Sequence, residues 1–168
     1  MDKLDAVNST SSHCPCGNAF SYGQCCEPYH LDRAVAETPE RLMRSRYSAF
    51  VLSQFRYLIS THHPDYLQGL TEQQLVQGER EQGEVEWLGL EVLSSQQQSD
   101  YGEVEFKAWY IEDKHLDAIY ECSSFIRLND RWFYTQGQQK QTRLPGRNEP
   151  CICNSGKKFK QCCAKRMG

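Results

Sequence analysis

The chain has no apolar run approaching the roughly eighteen residues that a membrane-spanning helix needs, so insertion into a bilayer through such a helix is not expected. Its opening, MDKLDAVNSTSSH, has acidic residues and no apolar core. A secretory leader is therefore not expected, and the expected compartment is the cytoplasm. There is no large charge of one sign either: the net charge is -3, and with 39% hydrophobic and 11% aromatic residues a wholly disordered chain is excluded. At 168 residues the chain has room for one full hydrophobic core with small appendages, not for two full-sized domains. The cysteine-rich stretches also lack Cys-x-x-Cys, the spacing usual for a thiol redox turn.

Cysteine itself is abundant. Eight of the nine cysteines fall in two copies of one spacing, CPCGNAFSYGQCC at residues 14–26 and CICNSGKKFKQCC at residues 151–163. Each reads Cys-x-Cys, eight residues, then Cys-Cys, with Phe159 over Tyr22 and Gln161 over Gln24. In a reducing compartment dense cysteine favours metal ligation over structural disulfides. Two thiolates from a tight turn and two from a returning segment suit a closed tetrahedral Zn²⁺ site. Two sites are expected: Cys14, Cys16, Cys25 and Cys26 in one, Cys151, Cys153, Cys162 and Cys163 in the other, with Cys122 left alone.

The residues between the pairs fit this reading. Gly17 and Asn18 in one copy, and Asn154 to Gly156 in the other, tolerate the positive φ that a turn around sulfur requires. Four thiolates on one Zn²⁺ carry a formal charge of -2, which Lys157, Lys158 and Lys160 can offset. The first copy has no lysine in its loop.

CICNSGKKFKQCC resembles the SEC-C motif, the small zinc-binding element at the C-terminus of the SecA translocation ATPase and in other bacterial proteins. The usual form has Gly where this chain has Asn154 and Tyr where it has Phe159, and Cys163 stands where some members have His. In SecA such a motif docks to the SecB chaperone and to ribosomes, so the resemblance implies a docking role. The whole chain resembles the YchJ family, also called UPF0225, in CPCGNAFSYGQCCEPYH, LMRSRYSAFVLSQFRYLISTHHP, SSFIRLNDRWFYTQG and the closing motif. That resemblance implies a fold and no particular activity.

The middle reads independently as α+β. Thr38 is a candidate N-cap, with Pro39 at the first helical position and Glu40 in the first turn. Met43, Tyr47, Phe50, Val51, Gln54 and Leu58 then recur at helical spacing up to Pro64, predicting one amphipathic helix of roughly twenty residues. Thr71 and Gln74 predict a capping box on a second, short helix. From Val85 the period changes to two, through VEWLGLEVL, EVEFKAWYI and LDAIYECSSFIRL. Asn129 and Asp130 form a turn leading into RWFYTQG. Val104, Phe106, Ala108 and Tyr110 line one face. A long helix on a curved antiparallel sheet resembles the NTF2-like cone, and the family resemblance implies the same fold. The expected division is a zinc element over 1–33, an NTF2-like domain over 34–144, and a second zinc element over 145–168.

Arg44, Arg46, Tyr47, His62, His63 and Asp65 are the candidate pocket residues. An Arg with a carboxylate suits an anion, and a His beside an Asp suits proton abstraction. The same residues suit better a solvated face or ion pairs that anchor the sheet, for Arg44 and Arg46, and a helix end, for His62 and His63, and no residue is assigned a catalytic role. Trp87, Trp109 and Trp132 read as core or sheet-face residues. From Lys140 onward there are eight Lys or Arg and one acidic residue, so the first 139 residues sum to -10. The tail is a basic element on an acidic body, and Lys157, Lys158 and Lys160 are the candidate docking residues for a protein or ribosome partner. RNA is less favoured, because Phe159 is the only aromatic residue in the basic stretch. Two functions remain open: a zinc-binding adaptor that docks through its C-terminal knuckle, and a small-molecule binder or enzyme that uses the central pocket.

Overall fold

The structure, a computed structural model, describes residues 13–167; the reading of the opening segment and the start of the first zinc element lie outside the described residues. Four helices precede four strands: α1 Glu27–His30, α2 Pro39–Val51, α3 Phe55–Ser60, α4 Glu72–Glu81, β1 Val85–Gln98, β2 Tyr101–Glu112, β3 His115–Leu128 and β4 Arg131–Lys140. The strands form one antiparallel sheet in the order β1-β2-β3-β4. This is the mixed α+β, NTF2-like arrangement with small elements at both ends.

Local chemistry sets most boundaries. Thr38 Oγ1 accepts from Arg41 N at 3.1 Å and Pro39 opens α2. Thr71 and Gln74 close a reciprocal capping box on α4. Asn129 and Asp130 have φ of 48° and 63°, and Asp113 and Lys114 have 49° and 64°; positive φ at both turn positions is what a tight right-twisted hairpin requires.

The single twenty-residue helix is not observed. α2 stops at Val51, and α3 starts only at Phe55. Ser53 takes a φ of 57°, its N–H reaches Phe50 O, and Gln54 N–H reaches Ala49 O at 2.8 Å. These two bonds satisfy the last carbonyls of α2 as a Schellman motif does, with serine where glycine is usual. The break turns Phe55, Tyr57 and Leu58 into the core. Arg46 spans the corner by donating to Leu58 O at 2.8 Å and Thr61 Oγ1 at 2.6 Å.

The sheet uses both faces. Val104, Phe106, Ala108 and Phe125 are buried with Leu42, Met43 and Tyr47 of α2 and with Cys14, Cys16, Cys25 and Cys26 in one core. A second core on the other face joins Trp109, Ile111 and Leu116 to Cys151, Phe159 and Cys163 of the tail. Register shifts in β1 between Trp87 and Gly89 and between Val92 and Ser94, and in β4 between Tyr134 and Gly137 opposite Phe125 and Ser123, bend and twist the strands. At the first of these the tail comes close: a Cβ on Gly89 would lie 2.9 Å from Ile152 O.

Glycine at 102 is required by packing. A Cβ there would lie 3.0 Å from Pro39 Cβ and collide with Pro39 Cγ, and a proline ring has little freedom to move. Gly102→Ala is expected to lift the first turn of α2 from β2 and cost about 1–3 kcal/mol of stability, measured by chemical denaturation. A loss under about 0.5 kcal/mol would show that this contact does not fix the helix.

Candidate functional site

Both cysteine quartets converge, each with its four sulfurs within 4.8 Å of one another. Cys16 Sγ lies 3.6 Å from Cys25 Sγ, and Cys25 Sγ lies 3.9 Å from Cys26 Sγ; in the second cluster Cys153 Sγ is 3.5 Å from both Cys151 Sγ and Cys162 Sγ. A tetrahedron with metal–sulfur bonds of about 2.3 Å places its sulfurs about 3.8 Å apart, so the spacing fits Zn²⁺. Each quartet supplies four ligands and leaves no position for water, which describes a structural centre rather than a hydrolytic one.

The two knuckles share one fold. His13 bridges Ser21 in the first and Pro150 bridges Lys158 in the second. Gly17 and Asn154 have φ of 88° and 60°, each with its N–H bonded to the carbonyl of its first cysteine. Short 3₁₀ turns follow at Tyr22–Gln24 and Phe159–Gln161, with Tyr22 and Phe159 buried.

Their electrostatic support differs. In the first, Asn18 Nδ2 donates to Cys25 Sγ at 3.5 Å, Arg41 Nη1 reaches the same sulfur at 3.9 Å, and Arg44 Nη1 donates to Cys16 O at 2.8 Å. The positive charge missing from this loop is therefore supplied by α2. In the second, Ser155 Oγ donates to Cys162 Sγ at 3.2 Å, and Lys157, Lys158 and Lys160 are exposed members of the loop itself. Crowded thiols cannot all ionise by themselves. Hydrogen bonds from Cys16 and Cys26 hold the Cys14 thiol low, and those same bonds to Cys14 push Cys16 and Cys26 up. Burial pushes Cys163 up. A bound divalent cation reverses this preference and favours thiolates throughout.

Between α2 and the inner sheet face lies a cavity of about 410 Å³. Of the six expected pocket residues, Arg46 and Tyr47 line it. Arg44 instead pairs with Glu40 and holds the first knuckle. His62 and His63 follow α3 along β4: His63 N donates to Tyr134 O at 2.8 Å, and His62 Nε2 lies 3.2 Å from Thr135 O. Burial lowers the pKa of His62. Asp65 is exposed beside His63 Nδ1, 4.0 Å away. The structure thus brings Arg46 and Tyr47 together in the cavity and places the other four outside it.

Glu121 belongs to the cavity and was not foreseen from the sequence. The available signal was period two: Ile119, Glu121, Ser123 and Phe125 share one face of β3, and an acidic residue in an inward row is unusual. His30, half-buried, holds the corner between α1 and α2: Nε2 donates to Ser45 O at 2.8 Å, so Nδ1 accepts from Tyr22 OH at 2.8 Å. Burial lowers its pKa and keeps it neutral.

A helix-on-sheet body of NTF2-like form, carrying cysteine-quartet knuckles that fit a metal, defines a protein of the SEC-C class. Residues 38–137 match the family described as the YchJ middle NTF2-like domain, and residues 147–165 match the SEC-C motif. The chain is 54% identical over 162 residues to a UPF0225 protein of Shewanella sp. strain MR-4, covering 91% of this chain and 96% of that one. It is 55% identical over 161 residues to one from strain MR-7, covering 90% and 96%. The chain belongs to the YchJ, or UPF0225, family. Among solved structures, a SEC-C motif containing protein of Rhodopseudomonas palustris superposes with a TM-score of 0.70 at 30% identity, covering 77% of this chain and 100% of its own. Another from Psychrobacter arcticus gives 0.63 at 32%, covering 90% and 95%.

The first quartet is fully buried within the main core, whereas Cys153 and Cys162 are only half-buried. Loss of a metal held at the first site would therefore open the core, and loss of one held at the second would free a knuckle from the outer face. Cys16→Ser is expected to lower Tm by about 6–12 °C and Cys153→Ser by clearly less, read by calorimetry under reducing conditions. Equal losses would show that both knuckles are coupled to the core alike.

Proposed function

We propose that this chain is a zinc-stapled accessory protein of the cytoplasm that docks to an acidic protein surface, in the export or translation machinery, through its C-terminal knuckle. The observation that carries this reading is the orientation of that knuckle. Cys151, Phe159 and Cys163 are buried against Trp109, Ile111 and Leu116, while Lys157, Lys158 and Lys160 are exposed. Among the described residues, the tail's ion pairs use Lys140, Arg143 and Arg166, and these three lysines enter none. Their charge is available for long-range attraction. Domain limits after residues 33 and 144 suit this division of labour. Among the described residues, no helix is long and apolar enough to cross a membrane.

Both quartets are assigned to Zn²⁺. Elemental analysis of untagged protein prepared under reducing conditions should give about two zinc per chain. Iron in place of zinc, or less than one equivalent, would overturn the assignment.

Docking is tested by replacing Lys157, Lys158 and Lys160 together with Glu. Partner capture by crosslinking in lysate should be lost, with zinc content and Tm nearly unchanged, and capture by the unaltered protein should weaken with added salt. Capture that survives the triple replacement would refute the docking surface. A ribonuclease-treated arm separates protein targets from RNA, and capture should persist in it.

A second reading has its own observation in support. The cavity keeps about 410 Å³ of space beside a buried arginine, so it is not a core filled by aromatic side chains, and the central domain is suited to hold a small molecule.

A further inference from the structure

The charged lining of the cavity is Arg46 on one side and the carboxylates of Glu121 and Glu112 on the other, with Tyr134 between Arg46 and Glu121. Arg46 is only 8% exposed. Its Nη1 is committed to Leu58 O and Thr61 Oγ1, and its guanidinium lies over the ring of Tyr134, with Cζ 4.7 Å from the centroid. Among the described residues no carboxylate pairs with it, and Nε and Nη2 have no protein partner. Burial lowers its pKa only to about 10, so it is charged at neutral pH. The Glu121 carboxylate acts on it only through space. A buried charge without a contacting counterion is costly, and one that lines a cavity can take that contact from a ligand.

Glu121 supplies the opposite sign. Its Oε1 accepts from Ser123 Oγ at 2.6 Å and Tyr134 OH at 3.3 Å, and Oε2 accepts from Gln139 Nε2. The carboxylate occupies the space that a Cβ on Gly137 would fill, so the glycine opposite Ser123 makes room for it. Tyr134 thus offers its ring face to the cation and its hydroxyl to the anion. Burial raises the Tyr134 pKa to about 12, which keeps that hydroxyl a donor.

The remaining wall is aromatic. Tyr47 meets Trp87 edge-on at 5.8 Å, and Trp87 lies 5.6 Å from Tyr110. Exposed Phe50, Gln82 and Gln139 mark the mouth. A simple anion would satisfy Arg46 and be repelled by Glu121. A simple cation would do the reverse, and a neutral apolar molecule would leave both charges desolvated. The complement of this lining is one molecule with both charges close together and a flat apolar group, and a cavity near the small end of the usual ligand range suits a single such unit.

We propose that the cavity binds a small zwitterion of the class of aromatic α-amino acids, its carboxylate on Arg46, its ammonium on Glu121, and its ring among Tyr47, Trp87 and Tyr110. The proposal rests on the second reading above, that the central domain holds a small molecule.

The test is calorimetric titration of the full-length, metal-loaded protein with three probes: L-phenylalanine, 3-phenylpropionate, which lacks the ammonium, and phenethylamine, which lacks the carboxylate. L-Phenylalanine should bind at least about tenfold more tightly than either analogue, since each omits one charge-assisted contact. Glu121→Gln should bring L-phenylalanine down to the level of 3-phenylpropionate, and Arg46→Gln down to that of phenethylamine. Arg46→Gln also removes the bonds that close α3, so the probe series on the unaltered protein and the Glu121→Gln arm carry the test independently of it. Equal binding of all three probes, or binding indifferent to Glu121→Gln, would overturn the zwitterion while leaving a small-molecule cavity in place. No binding of any probe up to about 10 mM would overturn both.

Discussion

Four sulfurs gathered within 4.8 Å form the constraint on which much of this molecule depends, and it occurs twice. Such a quartet is unfavourable as four thiolates and poorly packed as four thiols, but a single divalent cation makes it a rigid crosslink. With a cation bound, each crosslink would fix a different surface of the same sheet-and-helix body. The first quartet sits in the core under α2, and the second closes a knuckle against the outer sheet face. The two also approach one another at the β1 edge, where Asn154 Nδ2 lies within 4 Å of the Cβ positions of both Gly17 and Gly89. The two knuckles thereby meet at one place on the fold, and the short β1 irregularity next to Gly89 provides the room.

Arginine placement shows how one helix serves two environments. Arg41 and Arg44 leave α2 toward the first knuckle, where one approaches a sulfur and the other holds a carbonyl. Arg46, two residues on, points to the opposite side, spans the α2–α3 corner and enters the cavity. Residues two apart on a helix cannot face the same way, so the run Arg41, Arg44, Arg46 divides by geometry into metal support and cavity lining. The break at Ser53 makes the second role possible, because an uninterrupted helix would carry Leu58 O away from the reach of Arg46.

Where the signal was local, the sequence was legible. The caps at Thr38 and Thr71, the turn at Asn129–Asp130, the inward row Val104, Phe106 and Ala108, and both quartets follow from neighbouring residues alone. The helix break was not legible because serine at 53 gives no hint of a left-handed conformation; glycine would have. The charge support of the first knuckle was hidden because it comes from α2, distant in sequence, and loop composition suggested that there was none. Among the pocket candidates, proximity in sequence grouped Arg44 with Arg46 and His62 with Asp65, but helix rotation and the pairing of residues 61–63 with β4 separate them. Glu121 went unnoticed because an acidic residue in a strand reads as solvated until its row is known to face inward.

The docking and ligand readings concern opposite faces of a single strand. In β2, Phe106, Ala108 and Tyr110 line the cavity, while Trp109 and Ile111, between and beyond them, seat the C-terminal knuckle. Successive side chains on a strand project to opposite faces, so any shift of β2 that adjusts the cavity wall also moves the seat of the knuckle. Trp109 is 2% exposed and Ala108 3%, so neither face has slack in which to absorb such a shift. A ligand ordering Trp87 and Tyr110 and a partner held by Lys157, Lys158 and Lys160 would therefore act on the same backbone from its two sides. The two readings need not be alternatives, because the residues they use stand one position apart on β2.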